Sequence, residues 1–237
     1  MNISKESISI NKTARFAGFL YLLVAIFGGF SILYVSSTLI VSGDAAVTAQ
    51  NIKASEGLFR VGFVGGLITQ TIQIILVLCL FQILKAVNKN QAWLMVIFSL
   101  VGIPIAMLNL LNNYAGLMLM RGADYLTVFD PDQLQALGLF FLELQKIGVS
   151  IAAIFWGLWL LPLGYLIFKS GYIPKILGIL LIIGGIGYLL DFGIFFLFPQ
   201  LDVEVSQYTF LGELLLPLWL LIKGIDVEQW KKRVQLN

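Results

Sequence analysis

The chain has 237 residues, of which 59% are hydrophobic and only 12% charged, with a formal net charge of +2. Soluble domains carry about a quarter charged residues, so this composition excludes an ordinary soluble protein and predicts a single integral membrane domain over residues 1–237. The lack of histidine and the single cysteine exclude Ser-His-Asp and Cys-His catalysis, His-ligated metals and internal disulfides, and we expect no cofactor and no nucleic-acid partner.

Six transmembrane helices are predicted, because about 20 apolar residues are needed to cross the hydrocarbon core. The predicted fold class is therefore an all-α, polytopic transmembrane helical bundle. In chain order the spans cover residues 15–38, 57–84, 92–120, 147–168, 175–198 and 208–223. The first span follows basic residues, as in a signal peptide, but its apolar run is too long and no small-x-small cleavage site follows. We interpret it as an uncleaved first helix.

Two of the predicted loops contain helical patterns. Residues 45–53 form a polar stretch that is compatible with a short surface helix. Further on, Asp130 can cap a helix, Pro131 suits its first position and Gln133 completes a capping box. One helix over residues 132–168 would be about 55 Å long. That exceeds a hydrocarbon core of about 30 Å, so its first turns must stand outside the bilayer or break.

The distribution of Lys and Arg predicts the orientation through the positive-inside rule. Of the fifteen Lys and Arg residues, four fall on or near one side of the predicted bundle: Lys53, Arg60, Arg121 and Lys146. The rest fall on the opposite side: Lys5, Lys12, Arg15, Lys85, Lys89, Lys169, Lys175, Lys223, Lys231, Lys232 and Arg233. We therefore expect both termini in the cytoplasm.

Polar residues at one predicted depth form a candidate ligand-binding site. At 1.5 Å per residue, Asp191 lies about 24 Å from the cytoplasmic end of its span, in the outer third of the membrane. The full set is Arg60, Asn109, Asn112, Asn113, Glu143, Lys146, Tyr188, Asp191 and Glu213. A charge at the centre of a span costs about 2.5–3.5 kcal/mol, so it faces the interior or pairs. We expect Asp191 to meet Arg60 or Lys146 in a polar pocket open to the outside.

The same residues have plainer interpretations. The charged ones can lie hydrated at the membrane interface, and Glu143 and Lys146 are three residues apart, so they can pair with each other. Gln70 and Gln73 share one face of the second span. Hydrogen bonding between helices is their default interpretation, and solute contact is the alternative.

Glycines inside the predicted spans indicate close packing of helices, because small residues let two backbones approach each other. In the fifth span these are Gly178, Gly184, Gly185 and Gly187, and in the second Gly62, Gly65 and Gly66. Homo-oligomers are compatible with such faces. Pro104, Pro162 and Pro217 each fall inside a span and predict kinks.

Four motifs resemble one known family. They are RFAGFLYL at residues 15–22, ASEGLFR at 54–60, FWGLWLLPLGYL at 155–166 and SGYIPKILG at 170–178. In this order they resemble the bacterial membrane family catalogued as domain of unknown function 4386, over nearly the whole chain. The resemblance implies a protein of about six helices in the bacterial cytoplasmic (plasma) membrane, with no established activity. The family often has a histidine near Gln145, so proton chemistry tied to it would be lost or altered here.

Three classes of function stay open. The first is a non-catalytic protein that binds a membrane lipid or a small ligand in an outer-leaflet polar pocket. The second is a small-solute or ion transporter, which needs a polar route through Gln70, Gln73 and Asn109. The third is an intramembrane enzyme with Glu143, Asp191 or Glu213 as acid–base group. The apolar inner halves of the helices count against transport, and no metal site is expected.

Overall fold

The structure is a computed structural model that describes residues 3–201 and 203–235, with side chains from residue 9 onward. The described residues form helices and connecting turns, with no strand among them. In chain order they are α1 (Ile3–Gly29), a π-helical segment (Phe30–Val35), α2 (Ser36–Leu39), α3 (Ala45–Ala54), α4 (Glu56–Leu84), α5 (Lys89–Arg121), a 3-10 turn (Asp124–Leu126), α6 (Pro131–Ser170), α7 (Lys175–Leu197), α8 (Ser206–Thr209), α9 (Leu211–Ile222) and α10 (Val227–Gln235).

Five helices in the described part of the chain are long and apolar enough to cross a membrane. They are Ser9–Leu39, Glu56–Leu84, Lys89–Arg121, Pro131–Ser170 and Lys175–Leu197. These five contain the first five predicted spans, apart from residue 198, and they make the chain a multi-pass helical membrane protein. The sixth predicted span, 208–223, corresponds to a shorter apolar helix, Ser206–Ile222. Its helical hydrogen bonding is divided between α8 and α9 at Phe210.

α6 runs for 40 residues as one helix, which corresponds to about 60 Å at 1.5 Å per residue. The sequence predicted that the first turns of this helix either stand outside the bilayer or break, and the structure shows that the helix is continuous. Its start has one of the two hydrogen bonds of the predicted capping box, since the Gln133 side chain accepts a hydrogen bond of 3.1 Å from the Asp130 backbone N–H. The short helix predicted after Asp44 is also present as α3, with Thr48, Ala49 and Ile52 buried, and the Asp44 side chain caps it at the Val47 N–H.

The chain divides into two compact units, each with its own apolar core. The first unit comprises the described residues of Met1–Ala25, Ile72–Ile103 and Ser150–Asn237. The second comprises Ile26–Thr71 and Pro104–Val149. The core of the first contains fully buried residues from α4, α5, α6, α7 and α9. The core of the second is smaller and is built around Ile52, Phe59, Leu117 and Met120.

In the first unit, α6 and α7 approach each other through paired glycines. A Cβ on Gly157 would lie 2.7 Å from the Gly185 carbonyl oxygen, and one on Gly164 would lie 2.6 Å from that of Gly178. Both pairs are seven residues apart along each helix, so the contacts repeat every two turns. The opposite face of α7 contacts the segment that follows it, because a Cβ on Gly184 would lie 3.2 Å from the Thr209 carbonyl oxygen. The predicted close packing through α7 glycines is therefore confirmed.

The end of α4 is capped by side chains that come from distant parts of the first unit. The Ile83 carbonyl accepts a hydrogen bond of 2.8 Å from the Tyr172 hydroxyl and one of 3.3 Å from the Trp230 ring N–H. Carbonyls in the last turn of a helix have no partner within the helix. The Asp226 N–H in turn donates to the Tyr172 carbonyl at 3.0 Å, which attaches the start of α10 to the turn between α6 and α7.

Candidate functional site

The structure divides the predicted site residues between the two units. Tyr188, Asp191 and Glu213 belong to the first unit, and the other six belong to the second: Arg60, Asn109, Asn112, Asn113, Glu143 and Lys146. The pocket in which Asp191 meets Arg60 or Lys146 would join both units, so it stays a prediction. The contacts inside each unit are specific.

Asp191 caps the helical turn that follows α7. Its carboxylate accepts hydrogen bonds from the backbone N–H groups of Val205, at 2.5 Å, and Ser206, at 3.0 Å. These N–H groups open α8 and have no acceptor within the helix. Gly187 lies one turn before Asp191, and the Thr209 hydroxyl occupies the space that a Cβ on Gly187 would need. The aspartate in this apolar helix therefore joins α7 to α8.

Glu213 brings α1, α7 and α9 together around one carboxyl group. Its Oε2 accepts a hydrogen bond of 3.4 Å from the Tyr21 hydroxyl of α1. The Tyr188 hydroxyl of α7 interacts with the same carboxyl group. The second oxygen, Oε1, is buried and has no hydrogen-bond partner among the described residues. Glu213 is thus a buried acid with one unused oxygen.

Two tryptophans of α6 lie behind the two tyrosines. The rings of Tyr21 and Trp159 are 5.8 Å apart, and those of Trp156 and Tyr188 are 6.1 Å apart at 80°. Positions three apart on a helix share a face, so α6 presents both tryptophans to this centre. Such ring pairs hold the tyrosines in place. Glu213 and Tyr188 were predicted site residues, whereas Tyr21 was not. Its partner is 192 residues away in the sequence, so no local pattern could reveal it.

The second unit contains a cluster in which two arginines share one glutamate. Arg60 Nε lies 2.6 Å from Glu56 Oε1, and Arg121 Nε lies 3.4 Å from Glu56 Oε2. The Tyr114 side chain also interacts with Arg60. The arginine side chains are 42% and 54% exposed. One carboxylate against two guanidinium groups leaves this cluster with a net charge of +1.

Sequence reasoning assigned Arg60 to the site but missed Glu56 and Arg121 as its neighbours. The spacing of Glu56 and Arg60 is the i, i+4 spacing at which side chains of a helix meet, and this signal could have found the pair. Glu56 is also the first residue of α4, where the helix dipole favours a negative charge. Arg121 ends α5, and only the fold brings it to Glu56.

Asn109 and Asn112 form a small hydrogen-bonded pair between α5 and α6. The Asn109 amide donates to the Gln145 backbone carbonyl at 2.8 Å and accepts from the Asn112 amide at 3.0 Å. Gly148 makes this approach possible, because Asn109 occupies the space that a Cβ there would need. Asn113 is half-buried next to Asn112. Only the backbone of Gln145 takes part in this hydrogen bond, so the contact does not depend on the residue type there.

The other predicted polar residues lie on α4 and α6. Glu143 is half-buried and Lys146 is exposed on α6, and Gln70 is buried on α4. Gln73 donates a hydrogen bond of 3.3 Å to the Ser99 hydroxyl of α5, so its predicted role between helices is present. Among the described residues, no group of three or more His, Cys, Asp or Glu side chains is arranged to hold a metal ion.

Comparison with known proteins gives a family but no activity. A family model described as Domain of unknown function (DUF4386) matches residues 16–224, so the resemblance drawn from the four motifs is confirmed. An uncharacterized protein from Archaeoglobus fulgidus is 45% identical over 76 residues, which cover 32% of this chain and 46% of that protein. The match thus spans less than half of that relative. No solved structure matches the chain.

Proposed function

The chain belongs to the family described as Domain of unknown function (DUF4386), and we propose that it binds an anionic lipid headgroup without catalysis. The site is the cluster of Glu56, Arg60 and Arg121. The observation that carries the proposal is the shared carboxylate, since two arginines hold one glutamate and keep a surplus positive charge. A guanidinium group has five N–H donors in a plane that matches phosphate oxygens.

The position of the cluster suits a headgroup. Arg60 lies one turn into the apolar helix α4, and Arg121 is the last residue of α5. Apolar side chains are exposed on both helices, with Val61 of α4 59% and Leu111 of α5 60% exposed. Exposed apolar side chains on membrane-spanning helices face acyl chains, while basic residues near helix ends reach headgroups. A phospholipid would place its phosphate at the arginines and its chains along α4 and α5.

The proposed orientation places this cluster in the outer leaflet of a bacterial plasma membrane. Six crossings with both termini in the cytoplasm follow if Ser206–Ile222 is the sixth. Its 17 residues would be about 25 Å long as a helix, close to the hydrocarbon thickness of about 30 Å. The turns next to Lys85, Lys169 and Lys175 then fall on the cytoplasmic side with the basic helix α10, as the positive-inside rule requires.

Transport is the alternative, and two of the three polar residues that it needs, Gln73 and Asn109, already have other partners. Gln73 donates to Ser99, and Asn109 donates to the Gln145 carbonyl. These contacts join helices and support binding over transport. Acid–base chemistry would depend on the buried carboxyl group of Glu213.

Native mass spectrometry of the detergent-solubilised protein tests the proposal. We expect the Arg60→Gln/Arg121→Gln double variant to bind phosphatidylglycerol at least about tenfold more weakly than the wild type, which corresponds to about 1.4 kcal/mol. The control is Lys231→Gln/Lys232→Gln, which removes two charges from α10 and should leave this binding unchanged. Competition by inorganic phosphate would identify a small anion as the true ligand. Equal binding by wild type and double variant would refute the proposal.

A further inference from the structure

We propose that Glu213 is a proton-binding site in the interior of the first unit, formed by its buried carboxyl group and the hydroxyls of Tyr21 and Tyr188. This inference does not depend on the lipid site, which lies in the second unit.

Burial and the missing partner of one oxygen favour a protonated Glu213, whereas the tyrosine hydroxyls are donors that favour the carboxylate. An ionised carboxylate accepts hydrogen bonds at about four lone-pair positions, whereas a protonated one carries a donor on one oxygen. Here Oε2 faces the Tyr21 hydroxyl at 3.4 Å, and Oε1 is buried without a partner among the described residues. A buried, unpartnered carboxylate oxygen is strongly unfavourable. A proton on Oε1 would remove the charge from this position.

The groups around the carboxyl offer no balancing positive charge. In the described part of the chain, Glu213 makes no ion pair. The titratable groups that face it are Tyr21 from α1 and Tyr188 from α7, and Asp191 acts on Tyr188 with a further negative charge. α6 contributes the uncharged rings of Trp156 and Trp159, through their contacts with the tyrosines. An ionisable residue in such a membrane interior marks a functional site by default.

Protonation of Glu213 would be coupled to the packing of α9. Its carboxyl is the polar contact of α9 with both α1 and α7. α1 also packs closely against α9, because a Cβ on Gly18 of α1 would lie 2.7 Å from the carbonyl oxygen of Pro217 in α9. Loss of the proton would place a negative charge at this tight junction. The site can therefore take up or release one proton as α9 loosens from or closes on its neighbours.

Labelling with dicyclohexylcarbodiimide tests the proposal on the full chain in lipid vesicles. This apolar reagent partitions into membranes, and it requires a protonated carboxyl to react. Peptide mass spectrometry should find at least about tenfold more label on Glu213 than on the exposed Glu228 near neutral pH. Glu213→Gln should remove that label, and Glu228→Gln should leave it unchanged. A water-soluble carbodiimide should show the reverse preference.

A second variant separates a proton site from simple burial. Tyr21→Phe removes a donor that favours the ionised form, so Glu213 should keep its reactivity to higher pH than in the wild type. The labelling profile is measured between about pH 6 and pH 9, and circular dichroism confirms that each variant is folded. Absence of label on Glu213 throughout this range in the folded wild type would overturn the proposal. So would a label that does not decline as the pH rises in either protein.

Discussion

The carboxylate of Asp191 accepts a hydrogen bond of 3.0 Å from the backbone N–H of Ser206, the first residue of α8. Its other oxygen accepts the N–H of Val205. An aspartate near the end of the apolar helix α7 thus fixes the start of the next helical segment. This contact gives the residue a structural role in the fold.

Replacing Asp191 should destabilise the protein according to the number of acceptors lost. Asp191→Ala leaves two N–H groups without their acceptor and should lower the free energy of unfolding by about 1–3 kcal/mol. Asp191→Asn keeps one oxygen acceptor and should cost less. Unfolding by SDS titration in micelles measures both. Asp124→Ala, at an exposed position, is the control and should change stability by less than about 0.5 kcal/mol. A neutral Asp191→Ala would contradict the capping role.

The glycine contact between α6 and α7 predicts a sharp difference between two alanine variants of α7. A Cβ on Gly178 would lie 2.5 Å from the Gly164 carbonyl oxygen and 2.7 Å from the Phe168 nitrogen. Backbone atoms of packed helices cannot give way easily, so Gly178→Ala should cost about 1–3 kcal/mol. Gly193→Ala is the matched control, because nothing lies within 4 Å of its Cβ position. That change should be neutral or stabilise by about 0.5–1 kcal/mol. Equal effects would contradict the packing.

Tyr172 should make stability depend on alkaline pH. Burial raises the pKa of its hydroxyl above the usual value, and the hydroxyl donates to the Ile83 carbonyl. Because the folded-state pKa is raised, this stabilising contribution is complete below the pKa of the unfolded chain, about 10, and is lost as the pH rises above it. Tyr172 should therefore lower the free energy of unfolding by about 1.4 kcal/mol for each pH unit in this range, as the difference between the two proteins below. Unfolding measured against pH in the wild type and in Tyr172→Phe checks this. The same slope in both would rule Tyr172 out.

Thiol labelling tests the proposed orientation. With Cys79, the single cysteine, replaced by serine, a cysteine is introduced either at Tyr125 or at Gln235. Tyr125 is 67% exposed in the turn between α5 and α6, and Gln235 ends α10. A membrane-impermeant maleimide should label Tyr125→Cys in intact bacteria and Gln235→Cys only after permeabilisation. Labelling of both from outside would contradict a cytoplasmic carboxyl-terminal helix with six crossings.

Much of the fold could be predicted because the relevant signals are local. Long apolar runs predicted the five long helices. The capping box at Asp130 and Gln133 depends on residues three apart, and the glycines of α7 pack as small residues usually do. The sequence prediction treated residues 208–223 as one span and missed the division at Phe210, which separates the polar residues of α8 from the apolar run of α9.

The candidate site was harder to predict because its contacts join distant parts of the chain. The i, i+4 spacing of Glu56 and Arg60 could predict their ion pair from the sequence. The contact of Arg121 with Glu56 could not be predicted, because it forms only where α4 packs near the end of α5. Asp191 was identified as unusual, yet its partner Ser206 belongs to the following segment, 15 residues on. Glu213 likewise meets Tyr21 across most of the chain. Charge and predicted depth identified Asp191, Glu213 and Arg60 from the sequence, but the residues that they contact are determined by the fold.

The phosphatidylglycerol affinity of Glu56→Gln tests the central claim most directly, because the claim predicts a gain of binding. Removal of the one acid raises the net charge of the cluster from +1 to +2 and releases Arg60 and Arg121 from their shared partner. We predict that native mass spectrometry will show phosphatidylglycerol bound about three- to tenfold more tightly, with phosphatidylcholine unchanged. Weaker binding, as expected for the double arginine variant, would contradict a headgroup site made by the surplus charge.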